Sequence, residues 1–201
     1  MKLYLKAGAC SLAPHVVLEE AGLAYDTQAV DLRTRQMDGG GDFTQINAKG
    51  YIPALRLDDG ELLTEVPAIL QYLADLVPQK KLAPPNGSRA RYRLQEWLTF
   101  IGTELHKSFI PFFFPGASDE WKKFGRANLE RRLAWTNGQL AGRAYLLGEE
   151  FSVADAYLFT VLSWTKFIPL DLGQWPNLAA YQQRVAARPA VQAALKAEGL
   201  A

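Results

Sequence analysis

The segment MKLYLKAGACSLAPHVVLEEAG, residues 1–22, determines how the N-terminal part of this chain folds. Residues Met1–Lys6 alternate in polarity and favour β-structure, which predicts a strand. Apolar residues recur with helical spacing from Ser11 onward, and the small residues 7–9 between the two patterns predict a tight turn. Cys10 therefore lies at or just before the N-terminus of the predicted helix.

Cys10 is the single cysteine of the 201-residue chain. Unpaired backbone N–H groups and the helix dipole stabilise a negative charge at a helix N-terminus, which favours the thiolate, the reactive form of cysteine. A small, buried and unreactive side chain would suit the same turn. The position alone thus permits either thiol chemistry or simple packing.

The first 77 residues predict a β-α-β unit followed by a β-β-α unit. A second strand is expected near residues 25–31, and the sequence Asp58-Asp59-Gly60 between two apolar runs predicts a hairpin. A helix from about Glu65 to Leu76 completes a small α/β layer with a mixed sheet. The predicted domain therefore spans residues 1–77.

Three prolines and a glycine mark residues 78–88 as a linker, and the pattern after it predicts an all-helical domain, residues 89–201. The predicted helices cover about 89–113, 119–141, 153–167, 177–187 and 190–197. The segment Ser152-Val-Ala-Asp155 has the form of a capping box, and it precedes a helix that is apolar nearly all round. We expect Asp155 to be a buried capping carboxylate in the middle of the bundle.

The predicted helix 89–113 has a core stripe that includes Phe112, and an opposite polar face. A face of hydroxyls and an imidazole is unlike a charged, solvated surface, so it could line a cleft or a subunit contact. A single histidine on a helix is more often a surface or hydrogen-bonded residue. The residues predicted on this face are Tyr92, Thr99, Thr103 and His106.

Composition excludes several kinds of partner. Lys and Arg number 22 against 21 Asp and Glu, so no basic surface for nucleic acid or an anionic membrane is expected. One cysteine and two distant histidines predict neither a disulfide nor a metal site. The N-terminus shows no apolar signal-peptide region, and no apolar run is long enough to span a bilayer, which together predict a cytoplasmic protein.

Six motifs together resemble the beta-class glutathione S-transferases, the bacterial cysteine-type branch of that family. The resemblance extends over essentially the whole chain, and the first and fifth motifs are specific to this class. It implies a thioredoxin-like α/β N-terminal domain, an all-α C-terminal bundle, a homodimer and glutathione as co-substrate. The motifs are MKLYLKAGACSLAPH, NAKGYIPAL, DDGELLTE, QYLAD, ELHKSF and FSVADAYLF.

The resemblance also assigns roles to individual residues. Cys10 and His106 become the catalytic pair, with Cys10 touching the glutathione sulfur and able to form a mixed disulfide with it. Pro53 becomes the cis-proline whose preceding residue, Ile52, pairs with the peptide. Glu65 is expected to take the γ-glutamyl ammonium. The other residues assigned to glutathione are Val66, Arg35, Thr99, Thr103 and Lys107.

Two of these positions depart from the family pattern. Relatives often have Ser or Gly at Val66, so only a backbone contact survives there. They often have Asn at Thr99, where a single hydroxyl replaces an amide that can both donate and accept.

An aromatic pocket for an apolar electrophile is expected between the domains, built from Phe109, Phe113 and Trp164. The predicted activity is conjugation of glutathione to electrophilic, aromatic substrates, with thiol–disulfide exchange that depends on Cys10. The alternatives are a glutathione-dependent reductive dehalogenase of an aromatic-degradation pathway and a non-enzymatic glutathione- or ligand-binding module. The presence of Cys10, Pro53, Glu65 and His106 together argues against the last.

Overall fold

A computed structural model describes all residues from 1 to 201. They form two compact units. One unit joins Met1–Ala83 to Arg188–Ala201, and the other is Pro84–Ala187. The predicted domain ranges 1–77 and 89–201 therefore differ from the observed units at the C-terminal end, because the last helix packs within the first unit.

The first unit is built on a four-stranded mixed sheet with the strand order β2-β1-β3-β4. Strand β1 pairs in parallel with β2, and the pairs β1–β3 and β3–β4 are antiparallel. The elements follow the predicted β-α-β and β-β-α order, with Gly60 at a φ of +91° in the hairpin turn. They are β1 (Lys2–Leu5), α1 (Leu12–Ala21), β2 (Asp26–Ala29), β3 (Ala54–Arg56), β4 (Leu62–Thr64) and α2 (Val66–Leu76).

The C-terminal segment belongs to this unit because it packs on α1 and because two carboxylates, those of Glu20 and Glu198, form hydrogen bonds between the two ends of the chain. Helix α8 (Pro189–Ala197) packs along α1, and the Arg188 guanidinium forms two hydrogen bonds of 2.6 and 3.0 Å to the Glu20 carboxylate. Glu198 accepts a hydrogen bond from the Gly8 N–H at 2.8 Å and lies 2.7 Å from His15 Nδ1. Sequence periodicity does not reveal these contacts, because their partners lie far apart along the chain.

The second unit is helical. Its longer helices are α3 (Arg89–Phe100), α5 (Asp119–Gln139), α6 (Val153–Ser163) and α7 (Pro176–Ala186). Residues 153–162 of α6 are all buried, as its apolar pattern predicts. None of the protein's helices combines the length and the apolar character needed to cross a bilayer.

The predicted capping box at the start of α6 is present. The Asp155 carboxylate accepts hydrogen bonds from the N–H groups of Ser152 (2.8 Å) and Leu146 (2.9 Å), and from the Tyr181 hydroxyl (3.0 Å). Burial raises the pKa of Asp155, and these hydrogen bonds oppose that rise. Asp155 therefore has the structural role that the sequence predicts.

The predicted continuous helix 89–113 is wrong in its second half. The α-helix ends at Phe100 and is followed by a π-helical turn (Ile101–Leu105), a 3₁₀ turn (His106–Phe109) and the short helix α4 (Ile110–Phe113). These turns have more and fewer residues per turn than an α-helix, so the predicted faces rotate out of phase.

Because of this change of phase, the prediction that Phe112 lies in the core is wrong. Phe109 is buried in its place, whereas Phe112 is only partly buried and lines a surface groove with Lys122, Arg126 and Pro169.

Candidate functional site

Cys10 lies two residues before α1, partly buried and in contact with the predicted cis-proline segment. Its Sγ donates to the Ile52 carbonyl at 3.5 Å, and the Ile52–Pro53 peptide bond is cis. The fold thus brings Cys10, Ile52 and Pro53 together. The Cys10 side chain packs against a small core formed by Tyr4, Val30, Phe43, Ile52 and Ala54.

The backbone before Cys10 is held from several sides. Gly8 adopts a φ of +72°, a conformation that glycine accepts without steric cost, and its N–H is bound by Glu198. The buried Ser11 hydroxyl donates to the Lys6 carbonyl at 3.2 Å and accepts from the Lys6 N–H at 3.1 Å. Ser11 therefore occupies the N-cap position of α1, but its side chain joins the helix start to β1 and does not cap the helix.

Glu65 stands immediately before α2 in an unusual backbone conformation, with φ at +71° and ψ at 122°. A non-glycine residue at positive φ costs on the order of 1–3 kcal/mol, and such residues concentrate at functional sites. Its carboxylate lies on the surface, where it accepts hydrogen bonds from Lys49 Nζ at 2.6 Å and from the Tyr51 hydroxyl at 3.4 Å. The hydrogen bond with Glu65 raises the pKa of Lys49.

Sequence reasoning did not single out Lys49 and Tyr51, although both belong to the NAKGYIPAL motif. Arg35 lies near the same segment, because a Cβ placed on Gly50 would be 3.5 Å from Arg35 Nε. Arg35 also has a positive φ, 63°. The structure thus places the Glu65 carboxylate and the cations of Lys49 and Arg35 in one region of the first unit.

Val66 presents a backbone N–H at the start of α2. Its side chain is buried and apolar, so the backbone N–H is the only hydrogen-bond donor that Val66 offers at the start of the helix. The next residue, Pro67, has no N–H to offer.

In the second unit, His106 begins the 3₁₀ turn and points into a wall of aromatic side chains. Its Nδ1 lies 2.7 Å from the Tyr157 hydroxyl, and its ring meets the Trp164 indole edge-on with the centroids 4.8 Å apart. Burial, assisted by the nearby charge of Lys107, lowers the pKa of His106 to about 4. The imidazole is therefore neutral at physiological pH.

The three predicted pocket residues form one cluster beside this histidine. Trp164 meets Phe109 and Phe113 edge-on at centroid distances of 5.5 and 6.1 Å, and the two phenylalanine rings are stacked at 6.3 Å. Phe109 is fully buried, whereas half of Phe113 is exposed. The cluster therefore presents an aromatic face to solvent through Phe113.

The polar face predicted for Thr99, Thr103 and His106 is not preserved. Thr99 and Thr103 are exposed, and the Thr103 hydroxyl donates to the Thr99 carbonyl at 3.0 Å. Lys107 is also exposed. Thr99 precedes the π-helical turn, Thr103 lies within it and His106 follows it, so the helical phase changes along this segment: the imidazole turns inward while the hydroxyls face solvent.

Comparison with known proteins agrees with this architecture. Residues 7–76 match the family model "Glutathione S-transferase, N-terminal domain", and residues 100–189 match "Glutathione S-transferase, C-terminal domain". The chain is 49% identical to glutathione S-transferase GstA of Escherichia coli O157:H7, with both proteins covered over their full length.

Two solved structures are similar over all of both chains. The beta-class glutathione S-transferase of Sphingomonas chungbukensis is 50% identical with a TM-score of 0.97. A sphingomonad glutathione S-transferase in complex with glutathione is 49% identical with a TM-score of 0.96. The chain therefore belongs to the glutathione S-transferase family. Within that family it is of the bacterial beta class, and it is a glutathione transferase.

Proposed function

We propose that this transferase conjugates glutathione to electrophilic aromatic substrates and also catalyses thiol–disulfide exchange through Cys10. The observation that carries the proposal is the Cys10 thiol at the start of α1, in contact with the carbonyl that precedes Pro53. A thiol at a helix N-terminus is favoured as thiolate, and the adjacent backbone can pair with an extended peptide.

Glutathione binds, in this proposal, along the first unit with its peptide against Ile52. Glu65 takes the γ-glutamyl ammonium, and the Val66 N–H takes the γ-glutamyl carboxylate at the start of α2. The strained φ of Glu65 supports a functional role for this residue. Arg35 takes the glycine carboxylate, and the remaining glutathione contacts are assigned to Thr99, Thr103 and Lys107.

Conjugation uses the thiol of glutathione itself. Cys10 and His106 are hydrogen-bond partners of that sulfur and stabilise its thiolate, which then attacks the electrophile and displaces its leaving group. Because the pKa of His106 is about 4, the imidazole does not retain the thiol proton at neutral pH, and that proton passes to water.

Disulfide exchange uses Cys10 as the nucleophile. Its thiolate attacks one sulfur of glutathione disulfide, which forms a protein–glutathione disulfide and releases one glutathione thiolate. A second glutathione thiolate then attacks the glutathione sulfur of this adduct, which reforms glutathione disulfide and returns Cys10. With a mixed disulfide of glutathione and another thiol as the starting substrate, Cys10 attacks the glutathione sulfur and releases the other thiolate, and the second step then gives glutathione disulfide, so glutathione reduces the mixed disulfide.

The aromatic preference rests on the cluster of Phe109, Phe113 and Trp164, whose exposed edge offers a flat apolar surface. Phe113→Ala should raise the KM for an aryl halide and leave the KM for glutathione unchanged. Phe114→Ala is the matched control, because Phe114 is similarly exposed but packs on Trp121. Equal effects of the two variants would reject the proposed role of this cluster in binding aromatic substrates.

A substrate panel with two cysteine variants tests the central proposal. Aryl halides, hydroxyethyl disulfide and chlorinated aromatic metabolites are assayed with the wild type, Cys10→Ala and Cys10→Ser. We expect Cys10→Ala to lose about fivefold in conjugation, since one neutral hydrogen bond contributes about 1 kcal/mol. Cys10→Ser retains a donor and should lose less.

Both variants should lose disulfide exchange completely, because the chain has no second cysteine to replace Cys10. Full exchange activity in Cys10→Ala would refute the nucleophilic role. Turnover of the chlorinated aromatic compounds alone, abolished in both variants, would instead identify a reductive dehalogenase.

A further inference from the structure

Tyr157 carries a buried hydroxyl in the middle of α6, a helix whose other buried side chains are mainly apolar. It is 2% exposed on α6 and belongs to the fully buried stretch 153–162. A buried phenol normally has a hydrogen-bond partner, since an unsatisfied buried O–H destabilises the folded state. Its Oη lies 2.7 Å from His106 Nδ1, the length of a strong hydrogen bond.

This contact has consequences for the other nitrogen of the ring. A neutral imidazole carries one N–H and one unprotonated nitrogen, and the partner of each nitrogen determines which is which. A phenol is a better hydrogen-bond donor than a neutral imidazole N–H, and an imidazole nitrogen is a better acceptor than a phenol oxygen. The favoured arrangement therefore has the Tyr157 O–H donating to Nδ1, which leaves the hydrogen of the ring on Nε2.

We infer that Tyr157 is a positioning residue, which holds His106 as its Nε2–H tautomer and so makes the histidine a hydrogen-bond donor. The inference rests on the proposed role of His106 at the glutathione sulfur and deepens it. An Nε2–H group can stabilise a thiolate or a departing anion, but it cannot accept the proton of a thiol at the same nitrogen.

The surroundings of the ring support a fixed orientation. Trp164 meets the imidazole edge-on at 4.8 Å, and Tyr157 itself lies edge-on at a centroid distance of 6.0 Å. The backbone of the π-helical turn also passes close to the phenol, because a Cβ placed on Gly102 would be 3.5 Å from Tyr157 Oη. Burial keeps the ring neutral, which is required for a single tautomer to exist.

Nitrogen NMR measures the tautomer directly. The chain has two histidines, so a ¹⁵N-histidine-labelled sample gives two ring systems, and His106→Gln assigns them. In the wild type we expect His106 to show a protonated Nε2 and an unprotonated Nδ1. In Tyr157→Phe, which removes only the hydroxyl, we expect both tautomers to be populated.

The matched control is Tyr181→Phe, which deletes another buried phenol hydroxyl of the same unit, one bonded to Asp155. It should leave the His106 tautomer unchanged. In kinetics, Tyr157→Phe should lower kcat for conjugation on the order of fivefold without changing the KM for glutathione. Tyr181→Phe should change neither constant.

The inference is overturned if wild-type His106 is protonated at Nδ1, or if Tyr157→Phe keeps a single Nε2–H tautomer. The wild-type spectrum alone tests it should the variant not fold. Loss of the single tautomer with unchanged conjugation would uphold the positioning by Tyr157 and reject the proposed action of His106 on the sulfur.

Discussion

Lowering the pH from about 7.5 to about 5 should cost this protein roughly 2 kcal/mol of folding free energy through His106 alone. The pKa of this residue falls from 6.5 to about 4 on folding, because burial disfavours the imidazolium and Lys107 adds a like charge. The side chain that faces the ring from α6 is Tyr157, a phenol that carries no charge over this pH range.

The sign follows from proton binding. Between pH 6.5 and about 4 the unfolded chain binds a proton at this residue that the folded chain does not. The stability is therefore fully present above the unfolded pKa and is lost as the pH falls towards the folded value. Each pKa unit corresponds to about 1.4 kcal/mol, and the part of the shift sampled down to about pH 5 gives about 2 kcal/mol.

Urea denaturation at one fixed protein concentration measures this loss in the wild type and in His106→Gln. The variant should lack about 2 kcal/mol of the pH dependence, whatever its stability at neutral pH. Asp155 acts in the opposite direction, because its raised pKa favours the folded state at low pH, but it is common to both proteins and cancels in the difference. Equal pH dependence in the two proteins, or an NMR titration of His106 near 6.5, would refute the reasoning.

Three further predictions concern binding, stability and assembly. Glu65→Gln should weaken glutathione binding by about 1.5–3 kcal/mol in calorimetry, the range for a hydrogen bond to a charged group, and unchanged affinity would reject its role as ammonium acceptor. Asp155→Ala should cost at least about 3 kcal/mol in urea denaturation, because it removes the acceptor of two N–H groups and of the Ser152 hydroxyl, whereas Tyr181→Phe should cost about 1 kcal/mol; similar losses would contradict the network. The chain should form a C2 homodimer through the segments 65–76 and 89–113, and a monomer in light scattering at micromolar concentration would exclude it.

Several parts of the fold were predictable because their signals are local. The strand, turn and helix around Cys10, the Asp-Gly hairpin and the capping box at Asp155 each depend on a few neighbouring residues, and the structure confirms all three. The attachment of α8 was not predictable, because it depends on Arg188 and Glu198 meeting residues near the opposite end of the chain. Local patterns contain no information about such pairs.

The sequence motifs also identified the candidate residues around Cys10 in the first unit, but they did not identify the residues that contact Glu65. The motif NAKGYIPAL drew attention to Ile52 and Pro53 through their backbone, and it left Lys49 unnoticed. A lysine beside a glycine is typical of a solvated loop, and only the structure shows its ammonium 2.6 Å from the Glu65 carboxylate. If Glu65 binds the γ-glutamyl ammonium as proposed, this contact competes with glutathione, since the ligand ammonium must share or displace Lys49 at the carboxylate.

The position of His106 shows most clearly where periodicity fails. In a continuous α-helix, Thr99, Thr103 and His106 would share one face, and the imidazole would point wherever the hydroxyls point. The π-helical turn at Ile101–Leu105 breaks that register, so the threonines remain in solvent while His106 turns towards Tyr157. The signal that remained in the sequence was Tyr157 itself, because a phenol in a helix that is apolar nearly all round requires a buried polar partner. Of the chain's two histidines, His106 is the one that lies in a helical segment of the same domain, so a search for that partner would have reached it.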